Sequence, residues 1–187
     1  QEGTLMKLEL RDYPRIAIFV GLIAALGLLP AVNILPGVPV TAQTLGVMLA
    51  GAVLGSYQGT LAVFIFEVLV LAGLPLLAGA RGGVAVFAGP TAGYLIGWLI
   101  GAWVIGAVIA ALPKLPLVIS SALAFVLGGI VAVYIPGIFW FAYLNKFPVL
   151  AVAQGNLPFL VGDSIKVVIS VIVLVALKAA YPKALTK

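Results

Sequence analysis

Asp163 and Lys166 stand three positions apart inside an otherwise apolar stretch, Leu157–Leu177. On a helix that spacing places them on one face, about a turn apart. An ionisable group at the middle of a membrane helix costs roughly 2.5–3.5 kcal/mol by insertion scales, so each needs a partner or a ligand. The pair reads either as a structural ion pair joining the last helix to its neighbours, or as one acceptor and one donor offered to the polar head of a solute near the outer face. The second reading is the default for intramembrane ionisable residues. Arg81 lies in Gly79-Ala80-Arg81-Gly82-Gly83. The backbone N–H groups there, including those of Gly82 and Gly83, and the guanidinium fork would suit a carboxylate; a loop arginine facing headgroups is the plainer alternative. Glu67 is a third buried charge, readable as a proton or cation site or as a partner for a basic group elsewhere. Thr41, Gln43 and Thr44 are candidate hydrogen-bonders beside a Pro-rich segment, and Tyr94 can bind or pack.

These residues need a frame. Of the 187 residues, 64% are apolar and 8% charged, against about half and a quarter in soluble domains. Mean hydropathy is +1.31. Ten basic and five acidic side chains cannot coat a soluble globule, and the chain reads as an integral membrane protein. With no Cys and no His, thiol catalysis, Ser-His triads, zinc sites and haem ligation by those residues fall away. An intramembrane aspartyl protease needs two catalytic aspartates, and of Asp12 and Asp163 the first precedes the first span. No phosphate loop is present, so any ATP hydrolysis belongs to another subunit. The chain reads as no enzyme, with no cofactor and no metal. Its net charge of +5 is scattered over ends and loops, which argues against nucleic acid and for membrane orientation.

A ruler of about 20 apolar residues predicts an all-α bundle of six transmembrane helices with partly buried Pro/Gly-rich loops, one domain over residues 1–187. The spans are Ile16–Leu29 (short, and expected to begin a turn earlier), Thr41–Leu54, Gln58–Leu77, Thr91–Leu112, Leu117–Ile135 and Leu157–Leu177. Residues 30–40 hold three prolines and cannot form a continuous helix. Residues 136–157 open on Pro-Gly and carry the aromatic cluster Phe139, Trp140, Phe141 and Tyr143. Both are expected to be partly buried loops. Six spans put the termini on one side with Lys7, Arg11, Arg15, Lys114, Lys178, Lys183 and Lys187, against Arg81 and Lys146 opposite. The positive-inside rule then makes this a multi-pass protein of the cytoplasmic membrane with both termini cytoplasmic. No small-residue cleavage site follows residue 29, so the start reads as a span and not as a removable signal. Ala17, Gly21 and Ala25 form a four-residue series of small side chains that lets another backbone approach, within the bundle or from a partner helix.

In this order and spacing, the motifs Pro39-Val40-Thr41-Ala42-Gln43-Thr44-Leu45 running into Leu49-Ala50-Gly51, Gly73-Leu74-Pro75 before the 79–83 loop, Gly89-Pro90-Thr91-Ala92-Gly93-Tyr94, and Pro158-Phe159-Leu160-Val161-Gly162-Asp163-Ser164-Ile165-Lys166 form a specific set. Across nearly its whole length the chain resembles the biotin-specific substrate-binding (S) components of energy-coupling factor (ECF) transporters, the BioY family. The resemblance implies a six-helix protein that captures biotin from outside and passes it inward with a transmembrane coupling (T) protein and two ABC ATPases; some members look able to work without that module. It implies ligand contacts at Asp163 and Lys166 and at Arg81 with Gly82 and Gly83, and a coupling face at Ala17, Gly21 and Ala25. Glu67 lies outside the family's signature. Biotin's chemistry fits these residues: Asp163 would accept the two ureido N–H groups, Lys166 would donate to the ureido carbonyl, and Arg81 would meet the carboxylate, with the Lys and Arg assignments open to exchange. Tyr94 and Trp98, one turn apart, would flank the bicycle. Two other classes remain: a stand-alone secondary transporter that uses Glu67 for ion coupling, and a scaffold bundle without a ligand.

Overall fold

The computed structural model describes residues 8–35 and 38–185; Lys7 and Lys187 of the charge tally lie outside them, as do residues 36 and 37 of the Pro-rich segment. In chain order the elements are α1 (Asp12–Leu26), β1 (Val32–Leu35), β2 (Val38–Val40), α2 (Gln43–Leu71), a 3-10 turn (Val84–Ala88), α3 (Ala92–Ala111), α4 (Leu117–Ala124), a π turn (Phe125–Val131), α5 (Ala132–Asn145), α6 (Val149–Gly155) and α7 (Leu157–Ala180). Helix α1 does begin a turn before Ile16, and carries Pro14 in its first turn, where the missing N–H costs nothing.

Helix α2 is two arms. A straight helix of 29 residues would be about 43 Å long, yet the Gln43 side chain at its start bonds the carbonyl of Leu76, beyond its end, at 3.0 Å. The reversal occurs at Gly55, whose φ of 82° and ψ of 175° are not helical. The arms then close so tightly that a Cβ on Gly59 would stand 2.7 Å from the Ala50 carbonyl oxygen. Two spans meeting at Gly55-Ser56-Tyr57 are therefore present. The second arm stops at Leu71, short of the expected Leu77, because Gly73 (φ 108°) and Pro75 terminate it.

Among the described residues, four stretches are long and apolar enough to cross a membrane: Gln43–Leu71, Ala92–Ala111, Leu117–Asn145 and Leu157–Ala180. Counting α1 and both arms of α2, the bundle has six rods. Arg15 in α1 donates to the carbonyl of Ala184, so the start of the first rod and the end of the last lie at the same end of the bundle.

Two loop expectations are corrected. Residues 32–40 contain an antiparallel ribbon, with Val32 opposite Val40 and Leu35 opposite Val38 and a register shift between Asn33 and Leu35; strand pairing supplies the backbone partners that prolines deny a helix. Pro136 does not end the fifth span, since α5 runs through it to Asn145 and Lys146 caps it in the left-handed conformation. Inside a bilayer the alternative to a helix is unpaired backbone, so one missing N–H is the smaller loss. Pro148 then heads α6. Residues 136–157 are thus largely helical.

The main core gathers Ile23, Val47, Val63, Phe66, Trp98, Val133 and Phe159 among others, and Met48, Ile105, Phe125 and Leu174 anchor a second cluster. Between them α2, α3, α5 and α7 leave a cavity.

Candidate functional site

The cavity lies beneath the ribbon and is lined by mostly apolar side chains with a few polar groups among them, the general make-up of small-molecule sites. The ribbon roofs it with Val38, Pro39 and Val40, while Leu95, Trp98, Val133 and Phe159 supply apolar wall.

Its floor is a polar cluster drawn from three helices. Lys166 on α7 donates to Asp163 Oδ1 at 2.8 Å and to Thr44 Oγ1 on α2 at 2.8 Å. The Tyr134 hydroxyl on α5 donates to the second carboxylate oxygen, Asp163 Oδ2. The side chains of Lys166 and Asp163 are 13% and 9% exposed, so this ion pair sits in low dielectric, where a charge without a partner would be expensive. The i,i+3 spacing therefore forms a pair and points it into a hollow.

The remaining sequence candidates divide by role. Thr41, Gln43, Arg81 and Tyr94 all line the cavity. Gln43 is fully buried, and its amide donates to the carbonyls of Ile23 and Leu76 while its Oε1 accepts from the N–H of Ala78. Both of its N–H groups are thus committed to tying α1, α2 and the 72–83 loop together. Thr41 accepts from the Gln43 backbone N–H at 3.2 Å at the head of α2. Tyr94 donates to Asn156 Oδ1 at 2.7 Å, and Asn156 turns its own amide onto the carbonyl of Val152, so Tyr94 presents its ring to the cavity with its hydroxyl fixed. Trp98 packs on Phe66 with ring centroids 6.3 Å apart.

Arg81 sits at the mouth. Its backbone pairs with Leu77 in both directions, and its Nε donates to the Ala78 carbonyl at 3.1 Å. Among the described residues no carboxylate pairs with it. Burial lowers its guanidinium from the ordinary value, the direction in which an anion beside it is welcome. Gly82 and Gly83 are not in the cavity wall; they shape the loop that carries Arg81. A Cβ on Gly82 would lie 2.2 Å from the Leu74 carbonyl oxygen, and Gly83 adopts φ 91° while its N–H bonds the carbonyl of Val70 at 2.7 Å. A wider cleft outside the mouth shares Pro39, Leu77 and Arg81 with the cavity.

Ala17, Gly21 and Ala25 are all exposed along one side of α1, and nothing lies within 4 Å of where a Gly21 Cβ would stand. Internal packing does not explain this series. Glu67 is 6% exposed, and its Oε1 has no hydrogen-bond partner among the described residues; it does not line the cavity. No group of three or more Asp or Glu that could hold a metal ion occurs among the described residues.

Tyr134 and Asn156 are site residues that the sequence reading missed. Tyr134 fell at the expected end of a span, one residue before Ile135, and Asn156 inside an expected loop. A polar residue at helical spacing on the inner face of a continued fifth helix would have been the signal for Tyr134, had Pro136 not been taken as a stop.

The BioY family profile matches residues 3–183. This chain belongs to the BioY family. It is 43% identical over 184 residues to the biotin transporter BioY of Rhodobacter capsulatus, covering 94% of this chain and 97% of that protein. It is 36% identical over 141 residues to the biotin transporter BioY of Thermotoga maritima, covering 75% and 81%. Among solved structures it is similar to the S-component for biotin from an ECF-type ABC transporter, with a TM-score of 0.86, 33% identity, and coverage of 90% of this chain and 91% of that one. With several helices long and apolar enough to cross a bilayer, the chain is a multi-pass membrane protein.

Proposed function

We propose that this chain is the substrate-binding subunit of an ECF-type ABC transporter and captures biotin for uptake across the cytoplasmic membrane. The observation that carries the reading is the floor of the cavity: an acceptor pair on Asp163 and a donor on Lys166, fixed by Thr44 and Tyr134, with an arginine at the mouth that has no carboxylate partner among the described residues. A ureido head carries two N–H donors and one carbonyl acceptor, the complement of that floor, and its valerate carboxylate matches Arg81. Gly82 and Gly83 hold the Arg81 loop in place, the Tyr94 ring and Trp98 flank the bicycle, and Thr41 and Gln43 complete the wall. Biotin transporters among the relatives, and the ECF S-component with the same fold, support the assignment.

The partners are biotin, a T protein and two ABC ATPases, with the lipid bilayer around the bundle. The exposed series Ala17, Gly21 and Ala25 is the face on which a helix of the T protein docks, since small side chains let backbones approach closely. The excess of basic residues at the end where the termini lie supports cytoplasmic termini, with the cavity mouth facing outward.

Calorimetry of detergent-purified protein with biotin tests the reading. Saturable one-to-one binding is expected, and its absence from protein that is folded by thermal unfolding would overturn it. Gly21→Leu is expected to leave that binding intact while it abolishes co-purification with the T protein and ATPases.

A further inference from the structure

Resting on the biotin reading above, we infer that Tyr134 is a specificity-determining residue, whose hydroxyl oxygen accepts a hydrogen bond from one ureido N–H while its hydrogen holds the Asp163 carboxylate in place. The inference follows from counting hydrogens. Lys166 has three N–H donors, of which Asp163 and Thr44 take two. Each Asp163 oxygen already accepts one bond, from Lys166 or from Tyr134, and keeps one lone pair. A phenol has a single hydrogen, and that of Tyr134 is committed to Asp163 Oδ2. Tyr134 lines the cavity, so toward a ligand it can only accept. The floor therefore shows acceptors on Asp163 and Tyr134 beside the remaining N–H of Lys166, and any head group that puts an acceptor against Tyr134 leaves two oxygens facing each other without a hydrogen.

The backbone explains how Tyr134 comes to stand there. The π turn Phe125–Val131 directly upstream holds one residue more than α-helical winding would, and one residue is about 100° of rotation. Wound as an α-helix throughout, the same sequence would put Val133 at the position Tyr134 now holds, with no hydrogen-bonding group. Two glycines make room for the turn: a Cβ on Gly128 would stand 2.4 Å from Ile105 Cγ1, and one on Gly129, itself in the cavity wall, 2.4 Å from Met48 Cε. π turns recur at functional sites, and here the turn delivers a hydroxyl to a buried carboxylate.

The test measures binding of biotin, desthiobiotin and the two mono-N-methyl ureido isomers of biotin to the wild type and to Tyr134→Phe. The variant is expected to lose about tenfold or more for biotin and, by the same factor, for desthiobiotin, which keeps the ureido. One N-methyl isomer lacks the hydrogen that Tyr134 accepts, so it should bind the wild type more weakly than biotin does and lose less than about twofold on the substitution. Unchanged biotin affinity in Tyr134→Phe would overturn the inference, and so would equal losses for biotin and both isomers, the mark of a purely structural tyrosine. If the variant does not fold, the wild type decides alone, since binding both isomers as tightly as biotin would mean that no acceptor faces either nitrogen. Failure of the wild type to bind biotin would instead sink the parent reading.

Discussion

The floor and the mouth of the cavity are built of different material. At the floor, side chains of α2, α5 and α7 bond to one another, so Thr44, Tyr134, Asp163 and Lys166 hold each other in register across three helices. At the mouth, Arg81 rides on a Gly-rich loop and its hydrogen bonds go to that loop's own residues, Leu77 and Ala78; the loop is moored to the bundle through Gln43 and through the bond from Gly83 to Val70. Groups carried on packed helices are placed more precisely than groups on loops. On the proposed reading, discrimination between ligands belongs to the floor, and retention of whatever carries an anion belongs to the mouth.

The largest expected effect attacks the floor. Asp163→Asn keeps the shape but removes the charge that offsets Lys166, leaving a buried ammonium with a neutral partner. Biotin affinity should fall by about a hundredfold or more, since bonds to charged groups are worth about 1.5–3 kcal/mol and more than one is weakened. The protein should remain folded in detergent by thermal unfolding. Affinity within a few-fold of the wild type would show that the floor does not touch the ligand.

Next comes the mouth. Arg81→Gln should weaken biotin by about tenfold and leave biotin methyl ester nearly unaffected, because the ester carries no carboxylate for the guanidinium to meet. Parallel losses for acid and ester, measured by competition, would place the ligand's anionic end elsewhere, with Lys166 the other basic group in the wall. A smaller effect separates the floor's core from its support. Thr44→Val removes one of two acceptors on Lys166 without changing the charges. A neutral bond of about 0.5–1.5 kcal/mol corresponds to about two- to tenfold in affinity. A loss as deep as that of Asp163→Asn would mean that Thr44 contacts the ligand directly.

The same contrast governs what could be read from the sequence. Residues that break the apolar rule were legible: Asp163 and Lys166 announce themselves as charges in hydrocarbon, and their spacing fixes their common face. Tyr134 was not, because an aromatic in a membrane span is unremarkable in type and its position depends on a π turn that no local propensity marks. The two halves of α2 were legible from Gly55-Ser56-Tyr57, where the chain reverses. The continuation of α5 through Pro136 was not, since a proline that stops a helix in water is absorbed in a bilayer, where unpaired backbone has no solvent to turn to. The ribbon at 32–40 escaped because its pairing is between two short strands rich in apolar residues, whose periodicity does not separate strand from loop.

Glu67 belongs to neither region and gives the smallest expected effect. It lies on the second arm of α2, outside the cavity wall, 6% exposed and with Oε1 unpartnered among the described residues. If capture rests on the floor and mouth and ATP hydrolysis by partner subunits drives release, the acid takes no part in either step. Glu67→Gln, which preserves volume and hydrogen-bonding capacity, should then leave biotin affinity and uptake in cells carrying the T protein and ATPases unchanged. A coupled transporter makes the opposite demand, because an ion that drives transport must bind and leave at each cycle. In vesicles without any ATPase it would show uptake that an ionophore abolishes and that Glu67→Gln eliminates while binding stays intact. That outcome would make the buried acid a third working region, and the division between floor and mouth would describe only the first half of the transport cycle.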